Sequence, residues 1–426
     1  MVITVACSRL CPLARRSTLR CFLRAPPNGL CAQRRRHSEV TVSQARLQEF
    51  IKAELSYFAQ QHTQALGLEQ IVEASTPGKV ASLVHKELPY RFAARIRLIE
   101  VVENWQGQEE LVQLHKIFSD SFSELRLAEP PPLEARSVSV SDLTAYTEVL
   151  RNLRQRHRPV VALLAKAIHE LDMEGGALQS WADTFLLSRI STEMLTSHYV
   201  AVMDSHDPSA SRALRRGSVG IVDTKCNPGE ICEQAAAAVQ VSWHRPGDEV
   251  IIKVDTHGDL ASQSRSGIEF SYIPQYLFYI VQELLSNSVR ATIEAADRSD
   301  MPSKLAAMPI NVTVCADQKQ VVIRISDKGG GVPFGKAEKI WSYRFSTTEQ
   351  PEEYMSSGSP LAGWGVGLPL GRLYARYLGG SLEIMNVPGT GVDAYLVLRR
   401  IAPVGEIGLW SGGRWQTSIS DSVANV

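Results

Sequence analysis

Cysteine is scarce where it would carry structure. Four of the seven cysteines, Cys7, Cys11, Cys21 and Cys31, fall in the first 31 residues, which leaves Cys226, Cys232 and Cys315 for the rest of the chain. Those three have neither the spacing of a zinc site nor the density of a disulfide framework, and they suit a reducing compartment. Long hydrophobic runs are also missing: no stretch approaches the roughly 18 apolar residues of a spanning helix. Net charge is absent too, since 45 basic residues balance 45 acidic ones. That balance removes any whole-chain electrostatic case for binding nucleic acid. Missing as well are the lysine of a phosphate-binding Walker loop and the H-R-D set of ordinary protein kinases.

One absence is local. No Asp or Glu occurs before Glu39, whereas Arg9, Arg15, Arg16, Arg20, Arg24, Arg34, Arg35 and Arg36 do. These arginines break every candidate for the apolar run of about 7–15 residues that a secretory signal needs. An Arg-rich, acid-free, Ser- and Leu-containing start predicts a mitochondrial transit peptide over residues 1–38.

What is present divides in two. From 42 to 205 the periodicity is helical: Leu47, Phe50, Ile51, Leu55 and Phe58 recur at three/four spacing, as do Val160, Val161, Leu164, Ile168 and Leu171. The strings KVASLVHKELPYRFAARIRLIEVV and WADTFLLSRISTEMLTSHYVAVMD extend the pattern, so a helical bundle is expected there. Residues 205–220 are small, polar and turn-rich, which marks a linker. From 220 to 402 short β-branched runs alternate with helices expected at about 273–296 and 366–378. The fold class expected is α+β, an α/β sandwich following a helical bundle. Residues 403–426 read as a tail.

Three motifs in the second half carry chemistry. In YIPQYLFYIVQELLSNSVRATIEAA, helical geometry puts Glu283, Asn287, Arg290 and Glu294 on one stripe, with Leu277, Ile280, Val281, Leu284 and Ser288 facing away. Asn is a mildly unfavourable mid-helix choice, which hints at a task. In ISDKGGGVP, Asp327 ends a strand and is followed by glycines to Gly331, so backbone can approach a flat ligand while the carboxylate accepts from an exocyclic amine. In PLAGWGVGLPLGRLYARYLGG, Gly363, Gly365 and Gly367 alternate into a helix whose first N–H groups suit phosphate oxygens.

Taken singly, each motif also fits a solvated helix face or an ordinary glycine turn. Together, and in this order, they resemble the N, G1 and G2 boxes of the GHKL ATPases and kinases. The strings ELLSNSVRAT, SDKGGGVP, RFSTTEQ and PLAGWGVGLPLGRLYARYLGG resemble those of the mitochondrial kinases of 2-oxoacid dehydrogenase complexes. Upstream, KELPYRFAARI, RHRPVVALLA and LSRISTEMLTSHYVA resemble that family's helical domain. The resemblance covers about 42–402. It implies a GHKL (Bergerat) ATP-binding domain over 220–402 and a regulatory, substrate-docking bundle over 42–205. It also implies ATP and Mg²⁺ as cofactors, and a serine of the E1 subunit of a branched-chain or pyruvate dehydrogenase complex as acceptor. The lipoyl domain of the E2 core, self-association as a homodimer and residence in the mitochondrial matrix follow from the same resemblance. Glu283 would be the base and Asn287 the Mg²⁺ ligand. Arg290, Asp327, Gly331, Ser346, Thr347, Gly363, Trp364, Gly365, Val366, Gly367 and Leu368 would line the nucleotide.

Two departures bear on the site. Position 279, one turn before Glu283, is Tyr where pyruvate dehydrogenase kinases typically have His, and its hydroxyl is expected to orient Glu283. Val392 stands where the family usually has Thr, which removes one polar contact. Two other readings remain: a two-component histidine kinase, with His169 or His198 as acceptor on a helix, and a non-catalytic scaffold of the same fold.

Overall fold

The computed structural model describes residues 3–5, 40–61, 66–132, 138–207, 217–243, 249–258, 268–298, 305–345 and 365–400. Ser346, Thr347, Gly363 and Trp364, and the expected tail 403–426, lie outside them. So does the expected transit peptide, apart from β1 (Ile3–Val5), which pairs antiparallel with β2 (Val40–Val42).

Helices then follow in unbroken succession: α1 (Gln44–Ala59), α2 (Leu68–Glu73), α3 (Pro77–Glu100), α4 (Glu109–Leu127), α5 (Thr144–Arg156), α6 (Val160–Glu170) and α7 (Gly175–His206). Their starts have local causes. The Ser43 hydroxyl accepts from the Arg46 N–H to open α1. Pro77 sits at the first position of α3, where its missing N–H costs nothing. On α1, Leu47 and Phe58 are buried and Ile51 and Leu55 half-buried, but Phe50 is 47% exposed. The three/four spacing admits Phe50 numerically, yet at 3.6 residues per turn it falls outside the arc set by the other four.

α3 and α7 are the long spine, packed on each other and on α4, with Phe92, Phe118, Phe122 and Phe185 fully buried among them. Arg95 is buried with them: its guanidinium lies 4.6 Å above the Phe118 ring and donates to Ser188 Oγ and Thr192 Oγ1. Burial, and then the charge of Arg95, depress the neighbouring His157 to about 3, so that imidazole is neutral at physiological pH. Phe118→Ala is therefore expected to lower stability by about 3–5 kcal/mol, read from urea unfolding of the full chain. A midpoint unchanged from wild type would mean that this aromatic layer does not hold the bundle.

Beyond residue 217 the elements are β3 (Ser218–Val219), β4 (Val222–Cys226), α8 (Pro228–Ser242), β5 (Ile252–His257), β6 (Phe270–Tyr272), α9 (Pro274–Asp297), β7 (Ile310–Ala316), β8 (Gln320–Ser326), α10 (Phe334–Ala337), α11 (Gly367–Tyr377), β9 (Ser381–Val387) and β10 (Gly391–Arg399). The main sheet has the order β5-β7-β8-β10-β9, with β5 parallel to β7 and the other pairs antiparallel. A parallel pair needs a crossover, and α9 supplies it. The β7–β8 hairpin is tied by Asp317, whose carboxylate accepts from the N–H groups of Lys319 and Gln320. Val321, Ile323 and Ile325 of β8 alternate into the core, whereas Lys253, Asp255, Arg324, Glu383 and Arg399 stay exposed on the opposite face. β3, β4 and β6 form a second, small sheet. The fold is thus α+β, a helical bundle joined to an α/β sandwich.

Candidate functional site

The site is built where α9, the end of β8, the β9–β10 turn and the start of α11 converge. α9 brings Glu283 and Arg290, both half-buried, and Asn287, exposed, along one face. Arg290 Nε lies 3.7 Å from Glu294 Oε1 within that stripe. The opposite face carries Leu277, Ile280, Val281 and Leu284 into the core.

Ser288, on that inner face, is a polar residue in an apolar stripe, and its hydroxyl has a partner. It donates to Asp327 Oδ2 at 2.9 Å. The other oxygen, Oδ1, accepts from the N–H of Gly329 at 2.9 Å and of Val392 at 3.3 Å. Asp327 is only 7% exposed, and burial pushes its carboxyl up from the usual range against the pull of those three donors. An ionised carboxylate offers about four acceptor positions, so one remains for a ligand donor. Position 392 contributes through its backbone: its N–H meets the Asp327 side chain, and its carbonyl accepts from the Asp327 N–H at 3.0 Å. Those contacts are indifferent to Val in place of Thr.

The glycine loop after Asp327 is held flat from both sides. A Cβ on Gly329 would lie 2.6 Å from Cβ of Ala291 on α9. Gly331 has φ +69, and a Cβ there would meet the Val387 carbonyl at 2.6 Å. Asn386 of β9 completes the clamp, donating to the Val332 carbonyl and accepting from the Val332 N–H, both at 2.7 Å. Asn386 and Ser288 are the residues that sequence reasoning missed as site builders. A polar side chain in an apolar stripe was a signal for Ser288, whereas Asn386 gave none.

α11 begins at Gly367, with no side-chain cap on its first turn. Those N–H groups lack intrahelical partners and carry the positive end of the helix dipole. Gly367 lies directly against the Glu283 carboxylate, where any Cβ would overlap Oε2. Gly365, Val366 and Leu368 flank it, with Val366 buried. A carboxylate and an uncapped helix start therefore face one another.

Tyr279 does not orient Glu283 by a hydrogen bond: its buried hydroxyl has no such partner among the described residues. Its ring packs edge-on, 5.2 Å from that of Tyr374 on α11. Burial, and then the charge of Glu283, raise its hydroxyl well above the ordinary tyrosine value. Tyr374 in turn donates to Glu193 and accepts from Arg189, both on α7. Of the two histidines that a histidine kinase would need, His198 is fully buried with Nε2 at 3.0 Å from the Ala74 carbonyl. His169 is exposed in the last turn of α6.

Two family models match the chain. Residues 55–223 match mitochondrial branched-chain alpha-ketoacid dehydrogenase kinase, and residues 273–400 match the histidine kinase-, DNA gyrase B-, and HSP90-like ATPase model. Among curated proteins, the chain is 31% identical over 334 residues to the mitochondrial [pyruvate dehydrogenase (acetyl-transferring)] kinase of Arabidopsis thaliana, covering 75% of this chain and 84% of that one. It is 28% identical over 368 residues to isozyme 4 of that kinase from Ictidomys tridecemlineatus, covering 83% and 85%. Isozyme 4 from Rattus norvegicus is 27% identical over 367 residues, with the same coverage. Carrying both modules in this order, and matching such relatives over most of their length, the chain belongs to the mitochondrial 2-oxoacid dehydrogenase kinase family.

Proposed function

We propose that the chain is a protein serine/threonine kinase. It transfers the γ-phosphate of ATP to a serine of the E1 subunit of a mitochondrial 2-oxoacid dehydrogenase complex, branched-chain or pyruvate, and so inhibits that complex. The observation that carries the reading is the juxtaposition of the Glu283 carboxylate, midway along the helix that also presents Asn287, with the uncapped start of α11.

Phosphoryl transfer is largely a matter of positioning and charge stabilisation. Asp327, buried and held by three donors, reads the adenine amine. The first N–H groups of α11 take phosphate oxygens. Glu283 accepts the proton of the acceptor hydroxyl. No group of three His, Cys, Asp or Glu side chains able to cage a metal occurs among the described residues. Mg²⁺ takes oxygen ligands, binds through few protein side chains plus substrate phosphates and keeps several waters, so a single side-chain amide oxygen suits it. Asn287, with its exposed amide, would be the protein ligand, and the ion would offset charge on the transferring phosphoryl group. Arg290, Gly331, Gly365, Val366, Gly367 and Leu368 complete the nucleotide surface in this reading, together with Ser346, Thr347, Gly363 and Trp364.

The wider reading places the protein in the mitochondrial matrix as a homodimer docked on the lipoyl domain of E2. No helix among the described residues is long and apolar enough to cross a membrane. The test is incubation of the chain and labelled ATP with purified branched-chain and pyruvate dehydrogenase complexes separately, followed by mapping of the phosphosite. Acid-stable label on an E1 serine is the expected result. Acid-labile label on the kinase itself would replace this reading with histidine phosphorylation, and label on neither would leave the scaffold.

A further inference from the structure

Tyr343, Arg344 and Phe345, directly before segment 346–364, lie between the two halves of the molecule. Tyr343 is buried, and its hydroxyl donates to Asp183 Oδ1 on α7 at 2.5 Å. Arg344 reaches the connection between α6 and α7. Its Nε donates to the Ile168 carbonyl at 3.0 Å, Nη1 to the Met173 carbonyl at 3.3 Å, and Nη2 to the Leu171 carbonyl. The last carbonyls of a helix have no intrahelical partner and carry the negative end of its dipole, so a guanidinium there acts as a cap. This cap for α6 comes from the other half of the chain.

The backbone of Tyr343 and Phe345 also borders the candidate site. The Phe345 carbonyl lies so close to Gly365 that a Cβ there would overlap it, and Gly365 holds φ +74. Two residues later Gly367 opens α11 against Glu283. Nearby, the Arg372 guanidinium of α11 stacks 4.5 Å above the Trp341 ring. A continuous path of contacts thus runs from the α6–α7 connection through Tyr343 and Arg344 to the Phe345–Gly365 junction and the start of α11.

We propose that Tyr343 and Arg344 are positioning residues: by tying the α6–α7 connection to the Phe345–Gly365 junction, they set the start of α11 against Glu283 and couple nucleotide affinity to the helical half. The inference rests on nucleotide binding as proposed above and adds the helical half to the determinants of affinity. Coupling of this kind is reciprocal: nucleotide must steady the α6–α7 connection by as much as that connection favours nucleotide.

The test uses the full chain, a fluorescent ATP analogue and amide hydrogen exchange over residues 165–180. Arg344→Met keeps the stem and removes every donor. It is expected to weaken the analogue about fivefold or more, and to abolish the slowing of exchange that nucleotide produces in wild type. Arg344→Lys keeps the charge at the helix end and is expected to fall between. Tyr343→Phe removes only the Asp183 bond and is expected to shift both readouts the same way, which keeps the test open if Arg344→Met folds poorly. Variants that lose thermal stability but keep wild-type affinity and nucleotide-dependent protection would make these contacts structural and overturn the inference alone. A wild-type chain that binds no analogue would overturn the nucleotide reading and this inference with it.

Discussion

Asp327→Asn is expected to weaken nucleotide binding without lowering the unfolding midpoint. The orientation of the new amide is dictated by its surroundings. The N–H groups of Gly329 and Val392 both point at Oδ1, so the amide oxygen must occupy that place. The NH₂ group then falls where Oδ2 stood. Ser288 can adapt, because a hydroxyl rotates to accept as readily as it donates. A ligand amine cannot adapt, and it meets a donor instead of an acceptor. The lost contact is charge-assisted and worth about 1.5–3 kcal/mol, or roughly ten- to over a hundredfold in affinity.

Stability should move the other way. Asp327 is raised by burial in the folded state, so its contribution is most favourable when protonated at low pH and is lost as pH rises through the folded value. At neutral pH the native structure bears a buried charge that Asn does not carry. Titration with a fluorescent ATP analogue and thermal unfolding at pH 5 and 7.5 would check both halves. Wild-type affinity in the variant would remove Asp327 from adenine recognition.

Most of the ATP-binding half was legible because its strands and helices have strong periods. β8 alternates buried Val321, Ile323 and Ile325 with the less buried Val322, Arg324 and Ser326, and the apolar stripe of α9 is unbroken from Leu277 to Leu284. α8 was not read. Its alanine run gives little contrast between faces, although Asn227, which caps it by accepting from Gly229 and Glu230, and Pro228 at its first position were usable start signals. β4 and β6 are short and mixed in polarity, and only the small sheet makes them strands.

The site divides along the same line. Residues whose chemistry shows in local spacing, such as Glu283, Asn287 and the glycines, could be named from sequence alone. Residues that act across long separations could not. Asn386 clamps Val332, Arg344 caps α6, and Tyr374 meets Glu193, each bridging more than fifty positions. Nothing in the neighbours of these residues signals the partner, because the pairing is created only when the sheet and the two halves come together.

Glu283→Gln is expected to cut phosphate transfer to an E1 subunit by about 10²–10⁴ while leaving nucleotide affinity near wild type, which is the usual worth of general-base assistance. The substitution keeps the size of the side chain and its contact with Gly367. It removes the one feature the mechanism needs, a group able to take the proton of the acceptor hydroxyl. Asn287 is untouched one turn along α9, so Mg²⁺ with ATP should still bind. The charge argument runs in the same direction for affinity: a carboxylate beside the positive end of α11 competes with phosphate for that field, so neutral Gln should hold nucleotide at least as well. A purely structural Glu283 predicts a different pattern, with affinity and transfer falling together and the unfolding midpoint falling with them. The measurement is single-turnover transfer of labelled phosphate to purified E1, alongside analogue affinity and thermal unfolding of the same preparations. Transfer at the wild-type rate would take Glu283 out of the proton path and leave α9 with a binding role only.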